Sequence, residues 1–189
     1  CIRDRTELIR RIEAGQGKYE LQEVNGLAFR DDSGKIIRTA PRERIRDINI
    51  LPDPAFDLIF DPEEPPDRRS AFPLIFSYGC YFHCTFCAAD HGHYRYISAR
   101  KAVDRIQWAN ETYGIEYFAI SDGFWPPSIK WLDEFCTEIE SRKLRIQFHF
   151  MTRVGTLKRE HFERLWRVGA RAIMYGIESG NEQILKNIK

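Results

Sequence analysis

The sequence lacks an excess of charge of either sign and contains no long hydrophobic run. Lysine and arginine total 29, and aspartate and glutamate total 28, which leaves a net charge of +1. This balance gives no electrostatic reason to expect binding to nucleic acid or to an anionic membrane. No apolar run approaches the roughly 20 residues that a membrane-spanning helix needs. The first residues are charged throughout and do not resemble a signal peptide, so we expect a cytoplasmic protein without a membrane segment.

Cysteine is also scarce, with five among 189 residues. An odd number, three of them crowded into residues 80–87, is a poor basis for a disulfide framework. In a reducing compartment, clustered thiols usually indicate metal binding or catalysis. The separate Cys136 lies in a segment with helical apolar spacing, and we expect it to be a small buried hydrophobic residue.

The first part of the chain reads as an appendage and a linker. In residues 1–50, TELIRRIEAG predicts a helix, and GLAFR and KIIRT around DDSG predict a β-hairpin. Six of the nine prolines fall between residues 52 and 73, which excludes a helix or a central strand there. We therefore expect a proline-rich linker over residues 51–72.

Residues 73–189 alternate between predicted strands and helices four times. The pattern predicts an α/β fold in which four strand–helix units form part of a (β/α) barrel with a parallel sheet. In the helix LKREHFERLWRVG, the spacing predicts that Phe162, Leu165 and Trp166 point inward. Four units do not close a barrel, so we expect either that the chain is a fragment or that another segment covers the open edge of the last strand. Chemistry in such barrels lies at the carboxyl ends of the strands.

The segment GCYFHCTFCA follows the first of these strands and places three cysteines four and three positions apart: Cys80, Cys84 and Cys87. Thiolates are soft ligands that select zinc or iron–sulfur clusters. A zinc site usually takes four ligands, and the fourth could be His83, His91 or His93. A cubane cluster held by three local cysteines would leave one iron open to a small molecule.

The spacing CX3CX2C, with the aromatic Phe86 before the last cysteine, strongly resembles the motif of the radical S-adenosylmethionine (SAM) enzymes. The resemblance implies that Cys80, Cys84 and Cys87 ligate a [4Fe–4S] cluster whose fourth iron chelates SAM. It also implies that Phe86 lies against the adenine. In this family, one electron from the cluster cleaves SAM to a 5′-deoxyadenosyl radical that abstracts hydrogen from the substrate.

Further segments resemble the cobalamin-dependent branch of this family. GLAFRDDSGKIIRTAPRERIRDINILPDPAFDLI is similar to the connector between a cobalamin-binding domain and the barrel. Residues 94–125, MTRVG and YGIESGNEQILKNIK are similar to later parts of the barrel. The family's cobalamin element, DXHXXG, does not occur here. The resemblance therefore implies that any cobalamin is bound by a domain upstream of this chain, and that methyl transfer is the leading candidate reaction.

Five residues at predicted strand ends are candidates for binding SAM. The resemblance implies that the backbone at Asp122 and Gly123 accepts hydrogen bonds from the amino group of SAM, although turn formation explains them equally well. Arg153 suits the SAM carboxylate or a substrate anion, or else a surface salt bridge. Glu178 and Ser179 suit the ribose hydroxyls or the amino group, and their alternative role is helix capping.

The expected partners are a small-molecule or metabolite substrate and a reducing electron donor such as flavodoxin or ferredoxin. Two alternatives stay open. One is a cobalamin-independent radical SAM enzyme, such as a methylthiotransferase or an oxidoreductase. The other is a non-enzymatic zinc-binding module built on the three clustered cysteines and a histidine.

Overall fold

A computed structural model describes residues 2–15, 18–58, 60, 71–89 and 93–189, and two compact units are recognised, Cys1–Ile45 and Arg46–Lys189. Residues 61–70 of the predicted linker and His91 lie outside the described residues. The expected division into residues 1–50, 51–72 and 73–189 therefore stays a prediction. Among the described helices, none has both the length and the apolar character needed to cross a bilayer.

The first unit contains the predicted helix and hairpin. Helix α1 spans Ile2–Glu13 and is followed by a short 3-10 helix, Lys18–Glu23. Strands β1 (Ala28–Arg30) and β2 (Ile36–Arg38) pair antiparallel. The carboxylate of Asp31 closes the turn between them by accepting the backbone N–H groups of Ser33 and Lys35, both at 2.9 Å. The aspartate and glycine in DDSG thus form the turn that the sequence predicts.

The second unit begins with strand β3, Phe72–Leu74. The predicted strand PLIFSYG divides at this point, because Ser77–Tyr78 forms a separate strand β4 that pairs antiparallel with β5, Arg95–Tyr96. Three longer strands follow: β6 Tyr117–Ile120, β7 Gln147–Thr152 and β8 Ala170–Tyr175. They form a four-stranded parallel sheet with β3 in the order β3-β6-β7-β8. The α/β fold with a parallel sheet is confirmed.

Four helices alternate with these strands: α2 Ala99–Tyr113, α3 Ile129–Ser141, α4 Arg159–Arg167 and α5 Glu182–Ile188. Side chains cap three of them. Ser98 accepts the N–H of Lys101 at 3.2 Å, and Ser128 accepts the N–H of Trp131 at 3.1 Å. Asn181 caps α5 through two backbone N–H groups. Such caps satisfy amides that a helix leaves without partners in its first turn.

Aromatic side chains fill the space between the sheet and α3. Trp125 is fully buried and lies against Phe150, with ring centroids 4.6 Å apart, and against Phe135 at 5.4 Å. Cys136 is also fully buried, as the sequence predicts, and burial raises the pKa of its thiol to about 12. The core thus fixes the sheet from one side and supports the strand ends.

The prediction that Trp166 of α4 points inward is wrong. Trp166 is 61% exposed, and the guanidinium of Arg171 lies 4.4 Å from its ring centroid. Trp166 lines a groove of about 930 Å³ between α4 and β8. Among the described residues, β8 pairs with a strand on one side only. The helical spacing correctly predicts that Leu165 is buried. No described segment covers the surface that Trp166 faces.

Candidate functional site

The carboxyl ends of the parallel strands meet at one edge of the sheet. Leu74, Ile120, Phe150 and Ile173 are paired side by side in register across the four strands. The segments that follow these residues therefore emerge next to one another. They include the cysteine loop, which we define as residues 79–89.

The cysteine loop carries Cys80 and Cys84 half-buried and Cys87 exposed, and none of the three forms a disulfide. The backbone N–H of Cys87 donates to the carbonyl of Cys84 at 3.0 Å, and the N–H of Ala89 donates to Cys87 Sγ at 3.4 Å. Within the described ranges, no three Cys, His, Asp or Glu side chains are already arranged to hold a metal ion. The donor set of three thiols fits a soft metal centre in its chemistry.

Phe86 stands between the last two cysteines, and its side chain is 56% exposed. A large apolar ring that is so open to solvent contributes little to the core. His83 and His93 are exposed as well. Phe86 is therefore available for contact with a planar ligand at this edge.

Arg153, which follows β7, reaches the cysteine loop. Its guanidinium carbon lies 4.4 Å from the centroid of the Phe82 ring, and Phe82 in turn meets the ring of Phe124 edge-on at 5.0 Å. Within the described residues, Arg153 has no carboxylate partner. Sequence reasoning had missed Phe82; the available signal was an aromatic residue inside a cysteine motif. The contact orients a half-buried cation at the mouth of the site.

Asp122, which follows β6, has a buried side chain, only 3% exposed. Its Oδ1 accepts the backbone N–H groups of Phe76 at 2.8 Å and Ser77 at 3.2 Å. Its Oδ2 and the hydroxyl of Ser77 have no hydrogen-bond partner among the described residues. Burial raises the pKa of Asp122 from 3.8 to about 6, while the bonds from Phe76 and Ser77 and the charge of Arg105 act in the opposite direction.

The turn after β6 also lies against the start of the cysteine loop. A Cβ added to Gly123 would stand 3.9 Å from the carbonyl oxygen of Gly79. The hydroxyl of Tyr94 donates to the carbonyl of Phe124 at 2.6 Å, and its ring lies 4.4 Å from that of Tyr81. The structure thus brings Asp122, Gly123 and the cysteine loop together.

Glu178 and Ser179 lie beyond β8, in the segment before α5. Glu178 has a positive φ of 65°, and its Oε1 lies 3.9 Å from the ammonium of Lys189. Ser179 Oγ accepts the backbone N–H of Asn181 at 3.0 Å, a local turn before α5, whereas the side chain of Asn181 caps the helix. The end of α5 approaches the cysteine loop, because the N–H of Thr85 donates to the carbonyl of Ile188 at 3.0 Å.

A parallel α/β sheet with three clustered thiols at its carboxyl edge is an arrangement typical of enzymes, in which soft metal centres are held by cysteine. Residues 74–189 match the Radical SAM superfamily, and the chain belongs to this superfamily. The predicted membership is confirmed. The superfamily implies a [4Fe–4S] cluster and SAM as cofactors.

Two relatives and one solved structure illustrate the similarity. An uncharacterized methyltransferase of Pyrococcus horikoshii is 25% identical over 96% of this chain and 39% of its own length. The anaerobic magnesium-protoporphyrin IX monomethyl ester cyclase of Synechocystis is 28% identical over 94% and 36%, respectively. The structure of the cobalamin-dependent radical enzyme OxsB, with aqua-cobalamin and SAM bound, superposes with a TM-score of 0.75 at 25% identity. It is matched over 97% of this chain and 28% of that one. The chain thus spans less than two fifths of the length of these proteins.

Proposed function

We propose that this chain provides the cluster-binding and SAM-binding part of a radical SAM enzyme. Cys80, Cys84 and Cys87 would ligate three irons of a [4Fe–4S] cluster and leave the fourth for SAM. The observation that carries the proposal is a single loop with three thiols outside any disulfide, located at the carboxyl edge of a parallel sheet. When bound, the cluster supplies the electron that cleaves SAM to a 5′-deoxyadenosyl radical.

The cysteine loop presents its thiols half-buried or exposed at the carboxyl edge of the sheet, where a cluster could bind. Half-buried to exposed thiols on a loop can turn toward a common centre at low cost. The N–H of Ala89 already points at Cys87 Sγ. Hydrogen bonds to cluster sulfurs are one of the means by which a protein sets the reduction potential.

The turn after β6 and the exposed ring of Phe86 would orient SAM. Phe86 offers a face to the adenine, and the backbone carbonyls of Asp122 and Gly123 would accept hydrogen bonds from the amino group. For Asp122 the backbone is the available part, because the carboxylate is buried and one of its oxygens is already bonded to Phe76 and Ser77.

Three further residues would complete the SAM site. Arg153 would pair with the carboxylate of SAM or with an anionic group of the substrate, since it has no described acidic partner. Glu178 and Ser179 would bind the ribose hydroxyls or the amino group. Ser179 would keep its turn bond to Asn181 in doing so, because a hydroxyl group that accepts one hydrogen bond can still donate another.

For the reaction itself we propose cobalamin-dependent methyl transfer or related radical chemistry on a small molecule, with cobalamin bound by a domain outside this chain. A relative named a methyltransferase and the cobalamin-bound structure of OxsB support this choice. Flavodoxin or ferredoxin would supply the electron. A cobalamin-independent reaction is the alternative, and addition of hydroxocobalamin to assays of the full protein separates the two.

Anaerobic reconstitution of the full protein tests the cluster. We expect a brown protein with about four iron and four sulfide per chain, as a cubane requires. Cys84→Ala should lose the cluster and SAM cleavage, whereas Cys136→Ala, the same change in the buried core, should keep both. A colourless protein that takes up one zinc ion instead would overturn the proposal in favour of the zinc module.

A further inference from the structure

Residues 75–77, the two residues after β3 and the first residue of β4, lead from the sheet into the cysteine loop. We call this segment the strand exit. Backbone hydrogen bonds hold the chain just before the strand exit and within it. Leu74 O accepts the N–H of Ser121 at 2.8 Å, and Phe76 O accepts the N–H of Ile97 at 2.9 Å. Other polar groups of the strand exit are bonded to two charged side chains that are distant in sequence.

Asp122 holds the strand exit from one side. Its Oδ1 takes both the Phe76 and the Ser77 N–H groups, so a single oxygen fixes two consecutive peptide units. A carboxylate that is 3% exposed is costly to bury, and hydrogen bonds to backbone amides offset that cost. Its burial also leaves the side chain little surface with which to contact a ligand.

Arg105 of α2 holds the strand exit from the other side. Its Nη1 donates to the carbonyl of Ile75 at 2.9 Å, and its side chain is 10% exposed. The same guanidinium donates through Nε to Asp53 Oδ1 at 2.7 Å. Asp53 thus anchors the arginine, whose fork of donors bonds two oxygens at once.

We propose that Arg105 and Asp122 are positioning residues that hold the strand exit between them and thereby set where the cysteine loop begins. Only two residues, Tyr78 and Gly79, separate Ser77 from Cys80. A shift of the strand exit would therefore move the first cysteine relative to Asp122, Gly123 and Arg153. The expected effect on the cofactor rests on the proposed function. The hydrogen bonds from the strand exit to Asp122 and Arg105 do not depend on it.

Hydrogen exchange of the full, cofactor-free protein tests whether these side chains hold the strand exit. Asp122→Ala should speed exchange in the peptide that contains the Phe76 and Ser77 amides at least about tenfold, because two hydrogen bonds are lost. Asp122→Asn, which keeps an acceptor oxygen, should restore part of the protection. Ser121→Ala, an exposed neighbour, should leave it unchanged. Equal exchange in wild type and Asp122→Ala would overturn the proposal.

Arg105→Lys provides a second variant in case Asp122→Ala fails to fold. Lysine keeps the positive charge but cannot bond Asp53 and Ile75 with one rigid fork. We expect faster exchange around the strand exit and, after reconstitution, less iron per chain and a broadened cluster signal in electron paramagnetic resonance without SAM. Unchanged exchange in this variant would refute the role of Arg105.

The cluster measurements separate this inference from the proposed function. If Asp122→Ala keeps its strand exit protected and its full iron content but loses SAM affinity, Asp122 is a direct SAM ligand and the positioning role is wrong. If amide exchange at the strand exit of Asp122→Ala rises while cluster uptake stays at the wild-type level, these hydrogen bonds do not position the cysteine loop and the inference also fails. If wild type takes up no cluster while the exchange results hold, the proposed function fails and the role of these hydrogen bonds in holding the strand exit stands.

Discussion

The guanidinium carbon of Arg153 lies 4.4 Å from the centroid of the Phe82 ring. This contact joins the end of β7 to the cysteine loop across 71 positions of sequence. A cation over an aromatic face is attracted by the electrons of the ring, and the planar guanidinium stacks well on it. The ring therefore determines where Arg153 presents its N–H groups to a ligand.

Removal of the cation and removal of its support should have graded effects on SAM binding. Arg153→Gln should raise the Kd of the reconstituted full protein for SAM at least about tenfold, the loss of one charge-assisted bond. Phe82→Leu should raise it about two- to fivefold, because an exposed cation–π contact contributes about 0.5–1 kcal/mol. Phe82→Tyr, which keeps the ring face, is the matched control. Equilibrium dialysis with labelled SAM measures all three, and a larger effect for Phe82→Leu than for Arg153→Gln would contradict this order.

Local sequence patterns predict the elements of this fold but not the contacts that fix its site. The cap residues Ser98 and Asn181 and the turn at Asp31 act within four residues, so their signals are visible in the sequence. The hydrogen bonds that Arg105 donates to Asp53 and that Phe76 N–H donates to Asp122 span 52 and 46 positions. The apolar periodicity of a sequence gives no information about pairs so far apart along the chain. Trp166 was misassigned for a related reason, because helical spacing shows an apolar face but not what covers it.

The four described cysteines should divide by reactivity. Cys136 is fully buried and burial raises its thiol pKa to about 12, so at pH 8 it stays protonated and out of reach. Iodoacetamide should modify Cys80, Cys84 and Cys87 of the cofactor-free protein and leave Cys136 intact until denaturant is added. Peptide mapping by mass spectrometry identifies each site. Modification of Cys136 at the rate of Cys87 under native conditions would contradict its burial.

Gly169, between α4 and β8, should not tolerate a side chain. Its φ is +112°, and an added Cβ would overlap the carbonyl oxygen of Ile146. Gly169→Ala should therefore lower the free energy of unfolding by about 3 kcal/mol or more, through backbone strain and displacement of the β7 entry. Gly180→Ala is the control, because its Cβ would meet nothing within 4 Å. Urea denaturation measures the stability of both variants. Equal losses of unfolding free energy would show that the backbone at Gly169 is not held close to Ile146.

Asp122 should make the stability of the protein depend on pH. Its pKa is about 6 when folded, against 3.8 for an unburied aspartate. Between these values the folded carboxyl keeps a proton that the unfolded chain has released, so wild-type stability should fall as the pH rises from about 4 to 6 and level off above. The predicted loss is up to about 3 kcal/mol. Asp122→Asn removes this group and leaves every other titrating side chain in place. The difference in unfolding free energy between wild type and this variant isolates the effect, and a difference that is constant or rises with pH would show that the carboxyl is not buried as described.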